Sequence, residues 1–240
     1  MARVPRLSKS RFQAGLQCPR YLWLLCHSPG SADVVTPAQQ ALFDTGHEVG
    51  RVAREQFPGG VLVSEDHLHS QQALKTTDHL LCEGFTCLYE AAFCHEDVLV
   101  RSDILKRDEA GSWILVEVKS SGGVKPEHIT DMGIQTYVLR GSGLPVAGCR
   151  LMHVDWTHGP GEGPCSPQWS FSLVDVTDEV QQFLPAVPGL LAGMKDTLAG
   201  PLPAMPTDER CRSPYTCPFY GYCHESVAAR SPQTCSSAAS

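Results

Sequence analysis

The sequence of 240 residues predicts one α/β domain that begins with helices and continues into a sheet. The first 60 residues contain helical segments. Three short runs rich in β-branched and aromatic residues follow, "FTCLYEAAF", "DVLVRSDIL" and "WILVEVK", and a further helix and strand come after them. Turn residues separate the three runs, which is typical of consecutive antiparallel strands.

The helices are marked by caps and by proline or glycine at their ends. "SKSRFQAGLQCPRYLWLL" predicts a first helix, which a Pro- and Gly-containing break at residues 28–31 ends. Thr36 and Pro37 stand in the order of N-cap and first turn and begin a second helix, expected to run to about Phe57. Pro126 begins the helix after the third strand, and Gly141 lies where its C-terminal cap is expected.

The last third of the chain predicts two strands, a divided helix and an irregular tail. "GCRLMHVDW" and "WSFSLVDV" are the strands, with a loop at residues 157–167 between them. Thr177 begins a helix that Pro185 and Pro188 must kink or divide. We expect a helical part at residues 1–60, a core at 61–200, a cysteine-bearing tail at 201–225 and disorder at 226–240.

Composition limits the location and the partners. The sequence has no run of 18 apolar residues and no apolar secretory segment, so we expect a soluble cytoplasmic protein without membrane contact. A reducing compartment favours metal binding for clustered members of the 11 cysteines. The net charge of -7 argues against a surface that coats nucleic acid throughout. The early basic residues fit either a phosphate-contacting patch or a solvated terminus; they are Arg3, Arg6, Lys9, Arg11 and Arg20.

Two opposite charges interrupt the apolar strand "WILVEVK". Because side chains alternate along a strand, Glu117 and Lys119 share one face, about 7 Å apart. A symmetric hairpin before this strand pairs Arg107 with Trp113 and sets Asp103 directly opposite Glu117. The hairpin is therefore expected to bring two carboxylates and one ammonium together.

Two carboxylates at this distance repel each other unless a cation lies between them. Hard divalent ions prefer carboxylate oxygens, so Asp103 and Glu117 predict a Mg2+ site. Lys119 would orient or deprotonate a water beside it, or stabilise charge that develops on phosphorus. The alternative is an exposed pair of Glu117 and Lys119 on a one-sided sheet, which stabilises a protein by about 0 to 1 kcal/mol.

Asp103, thirteen intervening residues and then Glu117-x-Lys119 resemble the motif of the PD-(D/E)XK nuclease superfamily. His47 in "DTGHEVG" and Gln135 in the following helix resemble the histidine and glutamine of its RecB-like exonucleases. The resemblance implies a restriction-endonuclease-like core, a mixed central sheet flanked by helices. It also implies ligands for Mg2+ or Mn2+, namely His47, Asp103, Glu117 and the carbonyl of Val118.

One early cysteine and three late ones form a second group, Cys18, Cys211, Cys217 and Cys223. Four thiolates without histidine suit iron-sulfur or zinc, and the five-residue gaps favour iron-sulfur because zinc ribbons use Cys-x2-Cys pairs. The group resembles the four-cysteine, iron-sulfur RecB-like exonucleases, including CRISPR-associated ones. That resemblance implies a [4Fe-4S] cluster that ties the N-terminal helices to the C-terminal tail.

The resemblance extends from about Leu7 to Cys223 and implies a metal-dependent DNA exonuclease. Its catalytic residues would be Lys119, Glu117, Asp103 and Gln135. Single-stranded DNA is favoured because a small acidic domain has little surface for grasping a duplex. The pathway would be DNA repair, recombination or CRISPR adaptation, and the protein partners would be CRISPR adaptation, helicase or repair proteins. The alternative function is a non-catalytic nucleic-acid or protein adaptor with the same fold and cluster. For Glu90, in the first strand of the sheet, two roles stay open: it either assists the metal site or points to solvent.

Overall fold

The computed structural model describes residues 5–155 and 169–228, without the side chains of 225–228. Three features expected from the sequence fall outside this range: Arg3, the loop at residues 157–167, and the end of the tail from residue 229. Within the described range, no helix combines the length and the apolar composition needed to cross a membrane.

Seven strands and eight α-helices make up the described chain. The strands are β1 Leu7–Ser8, β2 Val61–Leu62, β3 Cys87–His95, β4 Val98–Arg107, β5 Trp113–Lys119, β6 Val146–Val154 and β7 Phe171–Asp175. The helices are α1 Lys9–Gln17, α2 Pro19–His27, α3 Pro37–Arg54, α4 Ser70–Cys82, α5 Pro126–Gly141, α6 Thr177–Phe183, α7 Val187–Ala199 and α8 Tyr220–Ala228. The sequence did not predict β1, β2, α4 or α8: the two strands have two residues each, and α4 begins without a side-chain cap.

The strands form one mixed sheet in the order β2-β3-β4-β5-β6-β7, and β1 pairs with β4 outside this order. β3, β4 and β5 are consecutive antiparallel strands, as predicted. α5 connects β5 to β6, which lies parallel to β5, and β7 is antiparallel to β6. A mixed sheet flanked by helices therefore agrees with the predicted fold class.

Two predicted helices have different bounds in the structure, and a third is divided as its prolines predict. The first is divided into α1 and α2 at Cys18, whose extended backbone precedes Pro19. A residue before proline is pushed out of the helical region, which explains the break. α3 has the predicted Thr36 cap but ends at Arg54 rather than near Phe57. The last predicted helix is divided into α6 and α7 around Pro185.

The two faces of the sheet are covered by different helices. α5 packs on one face, where Met132 and Ile134 join Leu115 of β5 in the larger apolar core. The end of α3 covers the other face, where Ala53 lies in a smaller core with Ile114. Since β5 side chains alternate, Glu117 points to the same face as Leu115. The predicted site therefore lies beneath α5.

The tail packs against the N-terminal helices. Leu24 of α2 joins Cys217, Phe219 and Cys223 of the tail in a third apolar cluster. The Gln17 side chain donates hydrogen bonds to the carbonyls of Arg210 at 2.6 Å and Tyr215 at 2.7 Å. The expectation of an irregular tail is wrong in one part, because α8 occupies its end and reaches three residues into the segment expected to be disordered.

Candidate active site

The short strand β1 brings the start of α1 to the sheet. β3 pairs with β4 from Val98 to Lys106, so β5 and β1 must share the other edge of β4. β5 takes residues 104–107 of that edge, and β1 takes Val98 and Leu99. Lys9, the first residue of α1, therefore lies beside the end of β5.

The hairpin of β4 and β5 has the register that the sequence predicts. Arg107 pairs with Trp113, and the same register sets Asp103 opposite Glu117. The backbone N–H of Val118 donates a hydrogen bond of 2.8 Å to Oδ2 of Asp103. A carboxylate thus replaces a backbone acceptor at the point where the two strands separate.

Glu117 is the centre of a buried polar network, with 1% of its side chain exposed. Its Oε1 accepts hydrogen bonds from Nζ of Lys9 at 2.9 Å and of Lys119 at 2.7 Å. Its Oε2 accepts one from Nε2 of Gln135 at 2.7 Å. Lys119 also donates to Oδ2 of Asp131 at 2.5 Å. The structure thus brings Glu117, Lys119 and Gln135 together.

Lys9 and Asp131 also belong to this site, although the sequence placed Lys9 only in the early basic group and left the role of Asp131 open. We use the name carboxylate cluster for Asp103, Glu117 and Asp131. The Nζ of Lys9 lies among them, 2.9 Å from Glu117, 3.9 Å from Asp131 and 4.0 Å from Asp103. An ammonium therefore stands where the sequence predicts a divalent ion. Asp131 lies one helical turn before Gln135, which was the available signal for its position.

Buried acceptors of this site retain unused hydrogen-bonding capacity. Oδ1 of Asp131 and Oε1 of Gln135 are buried, and in the described structure neither has a hydrogen-bond partner. Such acceptors cost free energy unless a donor, a water or a cation satisfies them. The first belongs to the carboxylate cluster and the second lies next to it, and oxygen atoms of this kind are the ligands that Mg2+ and Mn2+ prefer.

Glu90 lies in β3, next to the site, with a backbone in the left-handed region at a φ of 55°. Strand alternation would put Leu88 and Ala91 on opposite faces, yet both lie in the larger core. The left-handed residue between them absorbs this change of face. The Glu90 carboxylate lies 3.7 Å from Nε of Arg101, and 39% of its side chain is exposed, so it is an ion-pair partner that also contacts solvent.

The charges of the cluster shift its pKa values in different directions. Burial, followed by the negative charge of Glu117, raises the pKa of Asp103 to about 7. Burial also acts to raise the pKa of Glu117, but the charges of Lys119 and Lys9 outweigh it and hold that pKa well below its usual range. Burial acts to lower the pKa of Lys119, whereas Glu117 and Asp131 raise it above its ordinary value. Lys119 therefore stays protonated at neutral pH and acts as a hydrogen-bond donor.

The pKa of Asp103 predicts how stability changes with pH in the metal-free protein. Its value of about 7 lies above the ordinary 3.8, so the folded protein binds this proton more tightly than the unfolded chain. The stability that this proton contributes is present at low pH and is lost as pH rises through about 7. We expect wild type to lose stability relative to Asp103→Asn between about pH 5 and pH 8 in thermal unfolding with EDTA.

The variant is the proper reference because His128 acts in the opposite direction. Burial, with the charge of Lys119, lowers the pKa of His128 from 6.5 to about 4, so its contribution to stability grows as pH rises over that interval. Both proteins contain His128, so its contribution cancels when the stability of one is subtracted from that of the other at each pH. If the melting temperatures of wild type and Asp103→Asn change with pH in parallel, the raised pKa of Asp103 is wrong.

The structure does not bring His47 to the carboxylate cluster. His47 is exposed on α3, and that helix packs with Val52 and Ala53 on the sheet side. Ala53 lies in the smaller core, on the face of β5 opposite Glu117. The role of His47 as a metal ligand stays a prediction.

The four cysteines of the second group line one small cavity of about 20 Å³, which has room for about one water. No histidine or carboxylate lines it with them, a donor set that fits a thiolate-bound metal group. Burial raises the pKa of the Cys217 thiol to about 11, and the neighbouring cysteines contribute. Within residues 5–155 and 169–228, neither the cysteines nor the carboxylates are spaced as three ligands of one ion.

Comparison with known proteins gives no family for this chain. No family model matches it, and no curated protein matches its sequence. A crystal structure of LHK-Exo in complex with dAMP is similar at 16% identity and a TM-score of 0.45, covering 82% of this chain and 92% of that one. A crystal structure of SSO0001 is similar at 11% identity and a TM-score of 0.34, covering 80% and 78%. Both TM-scores are below 0.5, so neither likeness supports a function for this chain.

Proposed function

We propose that the protein is a metal-dependent DNA exonuclease that hydrolyses phosphodiester bonds, preferentially at single-stranded ends. The observation that carries this proposal is the convergence of Asp103, Glu117 and Lys119 with Gln135 of α5. Adjacent carboxylates at the separating ends of two strands are costly in a fold unless they bind a cation. The pathway, DNA repair, recombination or CRISPR adaptation, depends on the sequence resemblance.

Each side chain of the site has a role that its contacts support. Asp103, Glu117 and the Val118 carbonyl would hold Mg2+ or Mn2+, and the bound ion would supply Lewis-acid polarisation of the scissile phosphate. Lys119, as a protonated donor, would orient the attacking water and stabilise the negative charge that grows on the phosphate oxygens. In the metal-free site Glu117 and Asp131 raise the pKa of Lys119, which favours this donor role over that of general base, the other role expected from the sequence.

Asp131 and Gln135 position the reacting groups. Oδ2 of Asp131 accepts a hydrogen bond from Lys119, and Nε2 of Gln135 donates one to Glu117. Both residues are almost completely buried in α5, which packs into the larger core. A rigid support of this kind fixes the directions of the lysine and the carboxylate before substrate arrives.

A basic cleft beside the site suits a nucleic-acid strand. It has a volume of about 840 Å³, and its lining includes Arg6, Lys9, Arg11 and Arg101, with Asp66 as its acidic residue. Positive side chains along a groove bind phosphates without reading the sequence of bases. Because the protein has a net charge of -7, this local charge favours contact with one strand over enclosure of a duplex.

We also propose that the cysteines Cys18, Cys211, Cys217 and Cys223 bind a [4Fe-4S] cluster, with zinc as the alternative. Their convergence on one cavity and their thiol-only donor set support a metal group. The group would add a bond between α2 and the tail, which already pack together through Leu24.

The activity is tested on end-labelled single-stranded DNA with Mn2+. We expect digestion that EDTA stops, and we expect circular single strands to resist because they lack ends. Asp103→Asn should reduce the rate by about 10²-fold or more, because the substitution removes an anionic ligand. Digestion of linear DNA by Asp103→Asn at the wild-type rate would overturn the proposal.

One observation favours the adaptor as a second candidate. The Lys9 ammonium already neutralises part of the carboxylate cluster, so a purely structural site would need no ion. An adaptor would show no affinity for Mn2+ that Asp103→Ala reduces. Isothermal titration of Mn2+ into wild type and Asp103→Ala therefore separates the two candidates.

A further inference from the structure

We propose that Lys9 is a displaceable counter-ion of the carboxylate cluster. In the metal-free protein its ammonium holds the carboxylates together; a divalent ion expels it, and it then contacts a DNA phosphate in the basic cleft. The inference rests on the proposed function, because it concerns the same site. It adds a residue that couples metal loading to substrate binding.

Lys9 is held less firmly than the other lysine of the site. Its Nζ has one hydrogen bond, 2.9 Å to Glu117, and its ion pairs with Asp131 and Asp103 are 3.9 and 4.0 Å long. Lys119 has two short contacts, 2.7 Å to Glu117 and 2.5 Å to Asp131. The two lysines are exposed almost equally, 27% for Lys9 and 24% for Lys119, so the difference between them lies in their contacts. An entering cation would therefore displace Lys9 rather than Lys119.

Charge balance favours the exchange. With all three carboxylates ionised, they and the two ammonium groups carry a formal charge of -1. A divalent ion in place of the Lys9 ammonium makes this set of groups neutral. The ammonium also leaves Oδ1 of Asp131 and Oε1 of Gln135 without partners. A divalent ion with several oxygen ligands can use acceptors that a single ammonium cannot reach.

The cleft offers the displaced ammonium a new position. Lys9 contacts the carboxylate cluster and also lines the basic cleft. Its flexible four-carbon stem can carry the ammonium from one to the other. Its backbone is fixed at the start of α1, because the Ser8 side chain accepts a hydrogen bond from the N–H of Arg11. Arg101 donates to the carbonyls of Val63 and Glu65, so its guanidinium is already engaged. The released ammonium would therefore add a phosphate contact to the cleft.

The test is Mn2+ affinity, measured by electron paramagnetic resonance or calorimetry, in wild type and Lys9→Met. We expect Lys9→Met to bind Mn2+ about tenfold more tightly, because the ion no longer competes with a charge-assisted hydrogen bond. Lys75→Met removes the same charge from the exposed face of α4 and should bind like wild type. On single-stranded DNA at saturating Mn2+, Lys9→Met should raise KM and leave kcat nearly constant.

Lys9→Arg provides a variant that keeps the charge and guards against loss of folding. Its multidentate head should compete at least as well as lysine, so Mn2+ affinity should not rise. Equal or weaker Mn2+ binding by folded Lys9→Met, with normal binding by wild type, would overturn the inference and leave the metal site intact. Binding by Lys9→Met alone would support it. Absence of binding in both proteins would overturn the proposed function and the inference together.

Discussion

Lys119→Ala is expected to lower the rate of DNA hydrolysis by roughly 10²- to 10⁴-fold, the usual range for a group that assists proton transfer or charge stabilisation. The ammonium is the part of the side chain that contacts the site, 2.7 Å from Glu117 and 2.5 Å from Asp131. Alanine removes it, and with it the proposed orientation of the water and stabilisation of the phosphate charge. Single-turnover hydrolysis of labelled single-stranded DNA at saturating Mn2+ measures the effect.

Two controls make the result specific. Lys106→Ala removes a lysine of β4 whose ammonium lies over the ring of Phe57, and it should retain activity. Mn2+ affinity of Lys119→Ala should rise or hold, because the ammonium repels the ion. If Lys119→Ala keeps the wild-type rate, the mechanism is wrong even if the metal site is real.

Cys217→Ser is expected to remove the metal group and to weaken the attachment of the tail. Cys217 is buried beside Leu24 and Phe219, where a hydroxyl replaces a weakly polar thiol and cannot act as a thiolate ligand. Because metal-binding free energy becomes folding free energy, we expect a lower Tm and faster proteolysis of the tail. Metal analysis and the visible spectrum of anaerobically purified protein measure the loss.

Cys82→Ser is the matched control, because Cys82 is exposed at the end of α4 and should be silent in metal content and Tm. A brown protein with broad visible absorption would identify the iron-sulfur cluster, and a colourless protein with bound zinc would identify the alternative. Equal metal content in Cys217→Ser and wild type would refute the assignment of this ligand.

The central part of the fold was predictable because its signals are local. Runs rich in β-branched and aromatic residues, separated by turn residues, define β3 to β5, and the short loop before Trp113 sets the register that places Asp103 opposite Glu117. A capping pattern and Pro37 define the start of α3. These features require only neighbouring residues, so the sequence is sufficient to predict them.

The rest of the site depends on distant contacts. Lys9 and Glu117 are 108 residues apart, and a two-residue strand brings them together. No pattern within the first twenty residues distinguishes Lys9 from the other basic side chains near it. His47 shows the converse: its local motif resembles a metal ligand, but the packing of α3 leaves it exposed. Tertiary packing, rather than local propensity, decides both positions.

The shortness of β1 has a consequence for local opening. Two residue pairs join it to β4, so its release costs much less free energy than unfolding of the sheet. Hydrogen exchange of the Leu7 amide, which donates to the Asp97 carbonyl, should therefore be faster than exchange in β5. Lys9 follows this strand directly, so an opening that reached Lys9 would take its ammonium away from the carboxylate cluster, and the repulsion among the carboxylates would then favour capture of a cation from solution.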